Sequence, residues 1–164
     1  MLLPQGDIRL LTDPLAQRLL RSTELARVAY LAKDGTPRVI PMLFHWTGSE
    51  LVLPTFARSH KLGSLRRNPV VAVTIDTAGS PPEVLQLRGP VEIVSVDGVL
   101  PEYDLAQRRY YGDEQGAANS EQAAQSGAGM ARIALRPDWV GLLDFQTRFP
   151  GGLITAGLAP GDDS

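Results

Sequence analysis

The dipeptide Asp34-Gly35 sits between two apolar runs, Ala26–Ala32 (ARVAYLA) and Arg38–Trp46 (RVIPMLFHW). A tight two-residue turn needs positive φ, and Asp-Gly tolerates it, so the pattern predicts a β-hairpin. The same texture continues along the chain. Thr47-Gly48-Ser49 turns into Leu51–Thr55, and β-branched Val70–Asp76, Val84–Val96, Met130–Pro137 and Trp139–Asp144 follow as further strands. Tight turns join these runs more often than helices do, which predicts an antiparallel sheet. Six or seven strands with one helical crossover favour a small barrel over a doubly wound sheet. Pro41 and Pro54 cannot donate ladder bonds, so each marks an edge, a bulge or a place where a ligand meets the backbone. Gly89-Pro90 predicts a bend or bulge inside the longest strand.

Helical segments are peripheral in this reading. Residues 1–22 form an N-terminal helical segment, with Ile8, Leu11, Leu15 and Leu19 at helical spacing. Pro14 divides it, with Asp13 as N-cap and Pro14 at the first helical position. Ser59 to Arg67 predicts a short polar helix capped by Ser59 and stopped by Asn68-Pro69. Pro101 to Tyr111 predicts another. Residues 112–129 are rich in Gly, Ala, Ser and Gln and carry almost no large apolar side chain, which predicts a mobile loop. One domain over residues 1–157 is expected, with 158–164 as a disordered tail.

The 164 residues include no cysteine. That excludes disulfides, thiolate metal sites and a cysteine nucleophile, and a cytoplasmic location is expected. No apolar run approaches the ~18 residues of a membrane span, and no signal peptide is expected. The net charge of −2 argues against a general nucleic-acid binder. It is uneven, however. Residues 36–75 carry Arg38, Arg58, Lys61, Arg66 and Arg67 against Glu50 alone, a local +4 set against −6 elsewhere. Such a block suggests a local anion site, and equally suits a solvated face.

Catalytic side chains are scarce. His45 and His60 are the two histidines, and neither nucleotide-binding glycine motif occurs. No metal site is expected. His45, late in a strand beside Trp46, reads as a turn-proximal histidine bonded to backbone. The informative stretch is Thr55-Phe56-Ala57-Arg58-Ser59-His60-Lys61. A strand ends, a helix opens, and charge-assisted donors gather at that point, which suits phosphate.

The run DGTPRVIPMLFHW…ELVLPTFARSHKLGSLRRNPVVAVTID resembles the pyridoxamine-phosphate-oxidase-like family of flavin-binding split barrels. The likeness lies in the order of its pieces and covers roughly Ala26 to Val96. It implies a mainly β, six- to seven-stranded antiparallel Greek-key split barrel that is a homodimer with the cofactor at the subunit interface. It also implies positions. Arg38, Val39, Ile40 and Pro41 match the strand along the flavin ring, with Arg38 near the phosphate. Thr55 ends the next strand by the ring. Ser59, His60 and Lys61 match the phosphate-binding helix start, beside Arg58. Gln86 lies on the strand that gives the oxidase a flavin-contacting glutamine. Trp139, Phe145 and Arg148 are candidates for contacts from the second subunit. FMN is the expected cofactor, with the deazaflavin F420 as the alternative and FAD or haem behind them. The segment DWVGLLDFQTRFPGG does not match the oxidase ending that grips a B6 vitamer, so a different small organic substrate is expected. A bound flavin would carry the hydride chemistry itself, so no general acid or base is assigned. The alternative class is a non-catalytic protein that stores or senses flavin or haem.

Overall fold

The computed structural model describes residues 2–150; the expected tail at 158–164 lies outside them. Among the described residues, eight strands form one mostly antiparallel sheet in two halves: β1 (Ala26–Leu31), β2 (Pro37–Met42), β3 (His45–Trp46), β4 (Leu51–Phe56), β5 (Val70–Asp76), β6 (Val84–Val96), β7 (Met130–Leu135) and β8 (Trp139–Leu143). This is the expected split barrel.

The predicted hairpin joins β1 to β2, with Gly35 at φ +79° and the amide of Ala32 donating to Thr36 O at 2.9 Å. The run Arg38–Trp46, expected as one strand, divides at Leu43-Phe44. Phe44 is fully buried and its carbonyl accepts from Arg109. This pins the chain between β2, which pairs β1, and β3, which pairs β4. That division is why the strands number eight.

β6 is common to both halves. Residues Val84–Arg88 pair β8 on one edge and β5 on the other, while Val91–Val96 pair β7. The bulge expected at Gly89-Pro90 is not in β6, which stays in register with β5 through both residues; the extra residue lies opposite, where Arg136 to Asp138 connect β7 to β8 across from Gly89 and Pro90. A Cβ on Gly89 would lie 2.5 Å from the Arg136 carbonyl oxygen, so only glycine permits this close crossing. Pro41 lies on the edge strand β2. Pro54 lies on β4 beyond the two residues that β3 covers.

The inner face holds the core, with Val28 opposite Val73, Val73 opposite Leu87, and Leu87 opposite Val140. Helix α1 (Pro14–Leu20) adds Leu15, Ala16, Leu19 and Leu20 to it, and Asp13 caps α1 as expected. A 3-10 turn (Ile8–Thr12) precedes it. Gln5 exchanges two hydrogen bonds with the Leu142 backbone and so covers the end of β8. Helix α2 (Lys61–Arg67) buries Leu62 and Leu65.

The segment 112–129, expected as a loop, contains a 14-residue helix, α4 (Asp113–Ser126), antiparallel in sequence to α3 (Pro101–Tyr111) across Gly112. The small residues are what the packing uses. Gly116 is buried, and a Cβ there would lie 2.5 Å from Arg108 Cα. Asn119 and Ala123 follow on the same helical stripe, and both are partly buried. A backbone-to-backbone helix contact needs no large apolar residue, so hydrophobic periodicity does not reveal it.

Candidate functional site at the α2 corner

β4 ends at Phe56 and the chain turns sharply. Ser59 N donates to Phe56 O at 3.0 Å and Leu62 N donates to Ser59 O at 3.2 Å, which starts α2. Ser59 was expected as its N-cap. Instead His60 holds that position, without a side-chain cap, and the Ser59 hydroxyl accepts from Lys61 Nζ at 2.7 Å. An ammonium is a stronger donor than a backbone amide, so it takes the hydroxyl oxygen.

Lys61 is half-buried, and burial lowers its pKa. Arg58, His60, Arg66 and Arg67 are exposed around it. The hairpin approaches the same helix. A Cβ on Gly63 would lie 3.1 Å from Lys33 Cε and 3.3 Å from its Nζ, so both lysines of the chain border α2. Lys33 was not among the expected site residues. It belongs to the hairpin turn by sequence, and only packing carries its amine to α2.

Among the described residues, no carboxylate lies within ion-pair distance of Lys33, Arg58, Lys61, Arg66 or Arg67. Arg38 differs: it pairs with Asp34 at 3.6 Å and donates to Thr36. It remains at the hairpin end next to Lys33. Alternation along β2 sends Arg38 and Ile40 to the side of Tyr30 and Val28, and Val39 and Pro41 to the opposite, outer face.

Gln86 is placed elsewhere. The register Pro41–Arg27–Thr74–Gln86 puts it on the outer face three strands from β2, or about 14 Å at the usual strand spacing. Within one chain, therefore, Thr55, Arg58, Ser59, His60 and Lys61 lie together at the corner, Lys33 brings the hairpin turn to it, Arg38 stays with Asp34 and Thr36, and Gln86 lies three strands from β2. Farther along, towards the hairpin turn and the start of β5, the outer face is apolar. Leu31 is 42% exposed, Val39 66% and Val70 53%, and all three point the same way as Ala29 and Ala72.

Of the candidates for second-subunit contacts, Arg148 is taken within its own chain: it donates to Asp13 Oδ2 at 2.7 Å and to Leu3 O. Trp139 lies under the Arg88 guanidinium, 3.9 Å from the ring centroid, and packs on Gly6. Phe145 sits edge-on to Phe149. His45, expected to bond to backbone, shows no such ring bond among the described residues. Burial first, then Arg109, lowers its pKa, so it is neutral at pH 7.

Fold and corner together define a split-barrel protein with a basic corner whose five cations have no carboxylate partner among the described residues. The chain belongs to the pyridoxamine 5'-phosphate oxidase family, whose model matches residues 12–144. No curated protein sequence matches it. Among solved structures it is similar to an F420 reductase, at 28% identity and TM-score 0.63, over 75% of this chain and 93% of that one. It shares its fold with a pyridoxamine 5'-phosphate oxidase-related, FMN-binding protein from Nostoc punctiforme (16% identity, TM-score 0.54, 74% of each chain). It also shares its fold with a haem storage protein from Vibrio cholerae (15% identity, TM-score 0.59, 80% and 93%). No helix among the described residues is long and apolar enough to cross a membrane.

Proposed function

We propose that this protein is an oxidoreductase that holds a flavin-type cofactor by its phosphate at the α2 corner and acts on a small organic substrate. The observation that carries the reading is the group of five cations without carboxylate partners, in a chain of this family. A half-buried ammonium such as Lys61 is costly without a counter-charge, and a bound phosphate would supply one. When bound, the cofactor supplies the hydride chemistry at its ring. The chain's part is to bind and shield. Lys61 and Ser59 would donate to phosphate oxygens, Arg58 and Lys33 would add field, and Arg38 would close the hairpin side. Thr55 and the β2 backbone at Val39–Pro41 would border the ring.

F420 is the favoured cofactor, supported by the likeness to an F420 reductase. Arg66 and Arg67 are also more cations than a single phosphate requires, and suit the acidic tail of F420. FMN is the second reading, favoured by the Thr55, Ser59 and Lys61 order. A second copy of the chain would cover the apolar outer face around Leu31, Val39 and Val70, and would bring its own Gln86 towards the site. Titration of the purified protein with F420 and with FMN at one salt concentration tests the cofactor, and tighter binding of FMN would reverse the order. Binding of neither would overturn the reading. Reduced cofactor that decays no faster with candidate substrates than alone would make the protein a binder instead of an enzyme.

A further inference from the structure

The hairpin of α3 and α4 and the end of β4 border an open groove of about 420 Å³, whose Phe56 and Tyr111 are exposed. Its walls are aromatic and amide groups, with no charged side chain among them. Phe56 and Tyr103 meet there edge to face, with ring centroids 6.1 Å apart. Tyr111 completes the aromatic side.

The amides are ordered in one direction. Gln115 Nε2 donates to Asn119 Oδ1 at 2.8 Å, and Asn119 Nδ2 donates to Gln107 Oε1 at 2.8 Å. The chain of bonds ends at Gln107 Nε2, which has no hydrogen-bond partner among the described residues. Gln107 is only 6% exposed and lines the groove. The nitrogen itself reaches solvent on the lining, since Ser120 Oγ is the fully buried side-chain atom without a partner among the described residues, so an entering acceptor would replace water at a free donor. The tyrosine hydroxyl of Tyr103 stays protonated, because burial raises its pKa. It can therefore donate as well.

We propose that this groove binds a neutral, flat, aromatic molecule with a ring carbonyl: the ring lies against Phe56 and Tyr103, and the carbonyl accepts from Gln107 Nε2. The absence of charge in the lining separates this ligand from the anion expected at α2. Phe56 directly follows Thr55, so the two sites are adjoining. That the molecule is the substrate rests on the flavin reading; that it binds does not.

The test uses coumarin as a neutral ring carbonyl, naphthalene as a ring without an acceptor, and coumarin-3-carboxylate as an anion. Each is titrated into isotope-labelled full-length protein without cofactor, and amide shifts are followed by NMR. Coumarin is expected to move resonances of Phe56, Tyr103, Gln107 and Asn119, and to bind about tenfold more tightly than naphthalene. The carboxylate is expected to bind more weakly than coumarin. Gln107→Leu should erase the preference for coumarin over naphthalene, and Phe56→Ala should weaken both. If Gln107→Leu fails to fold, the wild-type preference and Phe56→Ala still decide. Equal binding of coumarin and naphthalene, or shifts away from these residues, would overturn the proposal. Cofactor titrations are run without coumarin, so the failure of one reading leaves the other standing.

Discussion

Around β7, Arg132 and Arg136 converge on carboxylates; around α2, five cations face none. Arg132 Nε donates to Glu102 at 2.7 Å and its Nη2 to Glu50 at 3.2 Å, while Arg136 Nε donates to Glu50 at 2.7 Å. The acids are well covered, at 12% exposure for Glu50 and 16% for Glu102. Hydrogen bonds, first from Arg136, hold the Glu50 carboxyl below the usual carboxylate range. This network ties β7 to α3 and to the turn before β4, and its charges are spent on one another. At α2 the same residue types are left over. The contrast teaches that arginine content by itself says little. What separates a structural corner from a ligand-ready one is whether the fold delivers a carboxylate to each cation.

Removing one charge should therefore have opposite consequences at the two corners. Lys61→Ala should weaken cofactor binding about ten- to a hundredfold, as expected for a lost charge-assisted contact of about 1.5–3 kcal/mol. Equal affinities in a binding titration would erase the distinction. Glu50→Gln should do the reverse. It should lower unfolding free energy by about 1–2 kcal/mol in a denaturant titration and leave cofactor affinity unchanged. Its pH signature has a definite sign. The folded pKa is depressed, so Glu50's contribution is present above the ordinary 4.5 and fades as pH falls through the lowered value. The variant should lose that part of the acid dependence.

A smaller effect is expected for Lys33→Ala. Its amine borders Gly63 but is exposed, so the affinity loss should stay within severalfold and vanish at high salt. A loss as large as that of Lys61 would make the two lysines equal anchors. The smallest effect concerns Lys61 in the cofactor-free protein. Its folded pKa is lowered from 10.5 by burial, so the charged form opposes folding at neutral pH. That penalty is relieved as pH rises through the lowered value towards 10.5. Lys61→Met should raise the melting temperature slightly at pH 7, and the gain should shrink at alkaline pH. Melting curves that shift the other way would show that the ammonium is already satisfied.

Much of the sheet was legible from local pattern. Val70–Asp76 and Val84–Val96 form strands over those same residues, and Asp34-Gly35 makes its hairpin. Asp13-Pro14 starts α1 as read. These signals involve neighbours in sequence, where backbone preference and side-chain alternation act directly. The cations of the α2 corner were legible too, because four of them fall between Arg58 and Arg67. The role of Ser59 was not, since its hydroxyl goes to Lys61 rather than to the helix backbone. Nor was α4, whose contact with α3 is made by backbone at Gly116.

By itself the sequence determined an antiparallel, hairpin-built sheet and a concentrated positive charge after Thr55. Those follow from φ preferences, period-two alternation and composition, all short-range properties. Only the tertiary structure decided which cations stay unpaired. Glu50 meets Arg132 and Arg136 across more than eighty positions, and Lys33 meets Gly63 across thirty. It also left Gln107 with a free donor on an open groove that α3, α4 and Phe56 line together. Such pairings depend on how packed elements bring distant residues together, and a linear pattern carries no record of that distance.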